Sequence, residues 1–98
     1  MIRSFRHKGL QCYFETGSTA GIHARHARHA RHARKISLRL AVLNQAMKPV
    51  DVDLPGFFLH PLTGNRKGIW AVTVSGNWRI TFVFRDGDVF IVNYEDYH

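Results

Sequence analysis

One alternating segment constrains the fold of this chain more than any other feature. In residues 78–84, four apolar side chains alternate with polar or smaller ones: Trp78, Ile80, Phe82 and Phe84. Successive side chains of a strand point to opposite faces of a sheet, so the pattern predicts a strand whose aromatic face packs on a core. Arg79 is then expected on the other face, where a ligand can reach it. The turn residues Ser75-Gly76-Asn77 predict a hairpin back to a strand at 69–74.

Three further segments have strand character and are bounded by turn residues: 2–5, 57–60 and 89–94. Pro61 is expected to end the second of them, and the third is apolar on both faces, as in a covered interior strand.

Two helices are expected between the first strand and the others. Leu10, Tyr13 and Phe14 follow the i, i+3, i+4 spacing of one helical face, so a short helix should end near Gly17. A longer helix, ending at about residue 46, is predicted from a second apolar stripe: Ile36, Leu40, Leu43 and Met47. The predicted order is β-α-α-β-β-β-β. This is an α+β fold with two helices on one face of a mainly antiparallel sheet.

The 98 residues leave room for a single domain, residues 1–98. Lys and Arg number 14 against 7 Asp and Glu, which gives a net charge of +7. The first fifty residues hold ten of the basic residues and one acid, so this half is expected to attract polyanions. With one cysteine, no apolar h-region after Met1 and no apolar run of membrane length, we expect a cytoplasmic protein that does not associate with membranes.

Residues 23–34 are four tandem His-Ala-Arg triplets. Three residues advance a helix by about 300°, so the histidines drift around the helix and form no single metal-binding stripe. The neighbouring arginines also repel a divalent cation, and we therefore predict no metal and no cofactor. A triplet expansion in a tolerant helix and an RNA-backbone contact surface both remain open, whereas a His-rich metal-binding module rests on the repeat alone.

Four features outside the repeat carry reactive groups: His60 at a strand end, the Arg66-Lys67 loop, Arg79, and the C-terminal residues 95–98. Metal-free RNA cleavage needs a base for the ribose 2′-OH, a cation for the phosphorane charge and an acid for the leaving 5′-oxygen. These features together supply an imidazole, fixed cations and a phenol.

The chain resembles the HigB-type toxins of the RelE/ParE superfamily over nearly its whole length. The resemblance is carried by four stretches: Ile2-Arg3-Ser4-Phe5-Arg6-His7-Lys8-Gly9-Leu10, Leu59-His60-Pro61-Leu62, Gly76-Asn77-Trp78-Arg79-Ile80-Thr81-Phe82 and Asn93-Tyr94-Glu95-Asp96-Tyr97-His98. It implies a RelE-like fold and a ribosome-dependent mRNA endonuclease of a type II toxin-antitoxin system. It also implies three partners, namely the 70S ribosome, mRNA and a helix-turn-helix antitoxin of the HigA type.

The resemblance implies a catalytic site made of five residues: His60, Arg79, Asp96, Tyr97 and His98. We assign Arg79 to the scissile phosphate, His60 and His98 to proton transfer, and Asp96 and Tyr97 to orientation. Which histidine is the base stays open, although the α-carboxylate on His98 favours its protonated form and hence the role of acid. RNA or ribosome contacts are predicted at Arg3, Arg6, Lys8, Arg25, Arg28, Arg31, Arg34, Arg66 and Lys67.

Two departures from the family pattern bear on activity. The His-Ala-Arg repeat indicates a lengthening at the start of the second helix relative to the family. Thr63 stands where the family commonly has lysine, so a cation near the phosphate is missing unless Arg66 or Lys67 substitutes for it. A toxin-fold protein with weakened or absent nuclease activity is therefore one alternative. A ParE-like gyrase poison, which needs no catalytic histidine, is another, and His60 with residues 95–98 argues against it.

Overall fold

The computed structural model describes residues 1–22 and 30–96. Helices α1 (Lys8–Thr16) and α2 (Ala30–Gln45) precede four antiparallel strands in the sheet order β1-β2-β3-β4: β1 (His60–Pro61), β2 (Trp70–Ser75), β3 (Trp78–Arg85) and β4 (Asp88–Asp96). Short 3-10 turns occupy Pro49–Val52 and Gly64–Arg66. The α+β architecture predicted from the sequence is confirmed.

The N-terminal segment pairs with β4 in parallel, through bridges from Ile2 to Val89 and from Phe5 to Val92. The predicted strand at 2–5 is thus two isolated bridges rather than a continuous strand. The physical reason lies in β4, where Ile91 has a φ of 47° and the register with β3 shifts. Such a left-handed β-branched residue forms a bulge, and regular pairing cannot continue past it.

Helix α1 ends as predicted from the sequence. The His7 Nδ1 atom accepts the N–H of Leu10 at 2.9 Å and caps the N-terminus of the helix. Gly17 closes the C-terminus with a φ of 80°, a left-handed conformation that glycine adopts without a steric penalty. Leu10 is fully buried, and Tyr13 and Phe14 pack against the core.

Helix α2 buries three of the four residues predicted to form its apolar stripe, since Ile36, Leu40 and Leu43 are all completely or almost completely buried. The fourth prediction was wrong: Met47 is 71% exposed. The helix ends two residues before Met47, and Ala46 packs against the core in its place.

Buried Arg39 connects α2 to the strands. Its Nε donates to the Thr73 carbonyl at 2.7 Å and its Nη2 donates to the Gly56 carbonyl at 3.0 Å, while its guanidinium lies 4.4 Å from the centre of the Phe57 ring. Burial lowers the pKa of Arg39. The side chain therefore fixes β2 and the approach to β1 against the helix.

Strand β3 has the predicted two faces. Ile80 and Phe82 are fully buried on the helix side, where Trp78 and Phe84 also pack against the core. Arg79 lies on the opposite face, which we call the helix-free face because the helices pack on the other side.

Strand β1 differs from its predicted range of 57–60. Phe58 has a φ of 51°, and this left-handed residue breaks the extended chain, so the strand begins only at His60. Pro61 lies within the strand instead of ending it, which is tolerated because β1 is at the edge of the four-stranded sheet.

Candidate active site

Strand register brings His60 and Arg79 to the same face of the sheet. His60 is paired with Ala71, Ala71 with Thr81, and Arg79 with Glu95. Directly opposed residues of antiparallel strands point to the same side, so all of these side chains share the helix-free face. A cleft of about 320 Å³ opens there, and its lining consists of His60, Pro61, Leu62, Thr63, Arg66 and Arg79.

Glu95 joins the two arginines of the cleft. Its Oε1 accepts hydrogen bonds from Arg66 Nη1 at 2.7 Å and from Arg79 Nη2 at 2.9 Å and Nε at 3.1 Å. Its Oε2 accepts from Arg66 Nη2 at 3.1 Å and from Asn93 Nδ2 at 3.3 Å. The result is a cluster of two guanidinium groups on one carboxylate, in which the Arg79 side chain is only 9% exposed.

The carboxylate of this cluster is ionised at neutral pH. Burial by itself raises the pKa of Glu95, but hydrogen bonds and charge attraction from Arg66 and Arg79 outweigh burial and hold that pKa below its ordinary value. The hydrogen bond to Glu95 correspondingly raises the pKa of Arg66. The cluster therefore carries two positive charges and one negative charge.

The orientation of His60 is set by the backbone. Its Nδ1 lies 2.8 Å from the carbonyl oxygen of Phe58. A carbonyl only accepts hydrogen bonds, so Nδ1 must carry the proton, and Nε2 is then the basic nitrogen of the neutral ring. The Phe58 carbonyl thus favours one tautomer of the neutral His60 ring.

The loop between β1 and β2 separates the two cations that could compensate for Thr63. Arg66 and Thr63 both line the cleft. Lys67 instead lines a neighbouring cavity of about 400 Å³, together with Ile69 and Trp70. Of these two cations, the geometry places Arg66 with His60 and Arg79.

The C-terminal residues predicted to be catalytic are only partly described. Asp96 is exposed at the end of β4, and strand alternation puts it on the face of Tyr94, opposite to that of Glu95. Burial raises the pKa of Tyr94, and the nearby charge of Asp96 raises it further. Tyr97 and His98 lie outside the described residues.

The predicted RNA-contacting residues fall mainly on the surface. Arg3, Arg6, Lys8 and Arg34 are exposed, and Arg3 forms an ion pair with Asp88 at 3.0 Å. Arg25 and Arg28 lie outside the described residues, and Arg31 is described only as part of the α2 backbone.

Among the repeat histidines, His32 has a defined role within the fold. Its Nε2 lies 2.6 Å from the hydroxyl of Tyr94, whose ring stacks on Trp78 at 4.7 Å. This contact connects the repeat end of α2 to β4.

Within residues 1–22 and 30–96, no three His, Cys, Asp or Glu side chains are grouped so that they could hold a metal ion. In the same ranges, no helix has the length and apolar character needed to span a membrane.

Sequence reasoning did not assign a role to Glu95 or Arg39. Glu95 is recognisable only once the register pairs it with Arg79 across β3 and β4. Arg39 precedes Leu40 in a helix rich in basic residues, and nothing in the local pattern distinguishes it from Arg34.

Two helices packed on one face of an antiparallel sheet, with a cleft lined by a histidine and two arginines on the other face, define a small α+β protein. The chain belongs to the family of RelE-like toxins of type II toxin-antitoxin systems, HigB, whose model matches residues 3–98. It is also 45% identical over 98 residues, the whole of both chains, to a protein from Proteus vulgaris described as endoribonuclease HigB.

Proposed function

We propose that this protein is an endoribonuclease toxin that cleaves mRNA on the ribosome by metal-independent attack of the ribose 2′-OH. The observation that carries the proposal is the cleft in which the imidazole of His60 lies with the guanidinium groups of Arg66 and Arg79. The endoribonuclease name of the Proteus vulgaris relative supports the same reaction.

His60 is the general base in this proposal. The Phe58 carbonyl holds the proton on Nδ1, so Nε2 is available to remove the proton from the 2′-OH. The 2′-oxygen then attacks the phosphorus atom and forms the new P–O bond. This tautomer, with no proton on Nε2, supports His60 rather than His98 as the base.

Arg79 and Arg66 bind the phosphate. Negative charge grows on the non-bridging oxygens as the phosphorane forms, and planar guanidinium groups offer fixed donors to such oxygens. Both arginines line the cleft, and Arg66 supplies the second cation that Thr63 does not.

His98 is the general acid, and Asp96 and Tyr97 orient the C-terminal groups. As the P–O5′ bond breaks, the proton of the His98 imidazolium passes to the 5′-oxygen, which leaves as a hydroxyl. The products are a 2′,3′-cyclic phosphate and a 5′-OH end, with no net consumption of protons.

As a member of a type II toxin family, the chain has an antitoxin partner. We propose that this antitoxin is a helix-turn-helix protein of the HigA type, that the 70S ribosome presents the mRNA, and that the reaction takes place in the cytoplasm. The first fifty residues hold ten basic residues and one acid, and this balance suits contact with rRNA phosphates.

The test is cleavage of a defined mRNA by the purified chain on programmed 70S ribosomes, with the new 5′ ends mapped and their 5′-OH chemistry checked. We expect cuts within the ribosome-bound codons, and we expect His60→Gln to lower the single-turnover rate by about 10²- to 10⁴-fold. Intact mRNA would favour the inactive relative. Gyrase-linked DNA breaks with intact mRNA would favour the gyrase poison.

A further inference from the structure

Glu95 is an unexpected residue beside a cleft that we propose binds phosphate, because it contacts two arginines that line the cleft. A carboxylate repels an anionic substrate, and this one is placed among the donors that the phosphate needs. Its side chain is 22% exposed, and it occupies three donor atoms of Arg79 and Arg66 through Oε1 alone.

Stability does not explain the cluster. The Arg66 and Glu95 side chains are 37% and 22% exposed, so solvent weakens their ion pair, and the burial of Arg79 costs solvation energy that its contact with Glu95 must offset. The cluster therefore contributes little net stability. The cluster is better explained by the geometry that it imposes.

The two arginines depend on Glu95 to different degrees. Arg79 belongs to β3 and is directly paired with Glu95 in the sheet, so its backbone is fixed independently of the carboxylate. Arg66 belongs to the short 3-10 turn Gly64–Arg66 in the loop after β1, where the sheet does not hold it. Its bidentate contact with Glu95, at 2.7 and 3.1 Å, brings its guanidinium beside that of Arg79 although the two cations repel each other.

We propose that Glu95 is a positioning residue that holds Arg66 and Arg79 at a fixed separation for the scissile phosphate and removes one unit of positive charge from the cleft. Fixed donors stabilise the transition state without reorganisation, and the reduced charge keeps ground-state RNA binding from becoming tight. The inference rests on the proposed nuclease function. It explains how Arg66, the second cation of the same site, is held in position.

The first experiment is Glu95→Gln, with two readouts. Glutamine keeps one acceptor oxygen but cannot serve both guanidinium groups, so we expect kcat to fall by about ten- to a hundredfold while KM stays equal or decreases. Because the cleft gains one positive charge, the logarithmic salt dependence of binding to a labelled RNA oligonucleotide should steepen by about one. A residue that only stabilised the fold would not produce this combination.

Asp88→Asn is the matched control. Asp88 is also a β4 carboxylate that pairs with an arginine, but it lies at the opposite end of the strand, with Arg3 at 3.0 Å. The substitution changes the net charge by the same amount, and we expect kcat to stay within twofold of wild type. A Glu95→Gln protein with wild-type kcat and an unchanged salt slope would overturn the proposal.

Glu95→Asp decides the question if the glutamine variant does not fold. The shorter carboxylate keeps the charge and can still reach Arg79 on the neighbouring strand, but it should lose Arg66. We expect about a tenfold loss in kcat with the wild-type salt slope, whereas full kcat would overturn the positioning role. If wild type itself does not cut mRNA, the proposed function fails, and the salt slopes of oligonucleotide binding still test the charge role of Glu95.

Discussion

The basic surface of the N-terminal half and the arginine cluster of the helix-free face use the same side chain in opposite ways. Arg3 keeps about half of its side chain exposed, as expected for long-range attraction of a polyanion. Arg79 and Arg39 are less than a tenth exposed, and each is held in place by acceptors, carboxylate oxygens for Arg79 and main-chain carbonyls for Arg39. Arg3 therefore supplies charge at the surface, whereas the acceptors around Arg79 and Arg39 fix the direction of their donors.

The largest expected effect comes from removing His98, the proposed acid. A chain ending at Tyr97 should lose about 10²- to 10⁴-fold in single-turnover cleavage, the usual cost of losing an acid. Its thermal unfolding midpoint and its antitoxin binding should match wild type, so that a loss of cleavage reports on the chemistry alone. Normal cleavage by the shortened chain would exclude His98 from the mechanism.

The next effect compares the two neighbouring cations of one loop. Arg66 lines the cleft and Lys67 lines the adjacent cavity, so Arg66→Ala should slow cleavage by about a hundredfold and Lys67→Ala should leave it within a few-fold of wild type. Since Arg66 already supplies a cation, Thr63→Lys should raise the cleavage rate by less than tenfold. An equal loss in both alanine variants would mean that total loop charge, rather than donor position, determines the rate. A ten- to hundredfold gain in Thr63→Lys would mean instead that Arg66 does not reach the phosphate.

A third comparison uses two arginines of one helix. Arg39→Ala removes a buried guanidinium and leaves the main-chain carbonyls of Thr73 and Gly56 without their charged donor, so the free energy of unfolding should fall by about 2 kcal/mol. Arg34→Ala removes an exposed side chain and should change the free energy of unfolding by less than about 0.5 kcal/mol. Urea denaturation measures both values. Equal unfolding midpoints would show that the hydrogen bonds of Arg39 contribute no net stability.

The sequence predicts the two-layer fold because periodicity is a local property. The alternation in β3, the α1 face and the Gly17 end all follow from spacing alone. The exposure of Met47 and the start of β1 could not be predicted from spacing. Each depends on where a single residue ends an element: the helix stops before Met47, and Phe58 adopts a left-handed backbone. Neither event has a marker as strong as glycine or proline at that position.

The candidate site divides in the same way. His60 and Arg79 could be identified as reactive groups from the sequence, and the resemblance added their roles. The link between Arg66, Glu95 and Arg79 could not be predicted, because Glu95 is 29 and 16 residues away from the two arginines. Strand register brings Glu95 to Arg79, and the fold of the loop after β1 brings Arg66 to both. Charge arithmetic counts Glu95 as one of seven acids, whereas the geometry makes it the acceptor shared by two cations.

The smallest effect per residue is expected from the His-Ala-Arg repeat. It tests whether the basic N-terminal half contributes charge rather than position. Replacing Arg25, Arg28, Arg31 and Arg34 by glutamine removes charge without removing a helix former. If these residues meet rRNA phosphates, ribosome affinity should fall, and the logarithmic salt slope should flatten by about one for each phosphate that the variant no longer neutralises. The rate of the chemical step at saturating ribosome should stay unchanged, because charge alone does not orient a phosphate. An unchanged slope would show that the repeat arginines do not meet rRNA phosphates, and a slower chemical step would show that they also position the substrate.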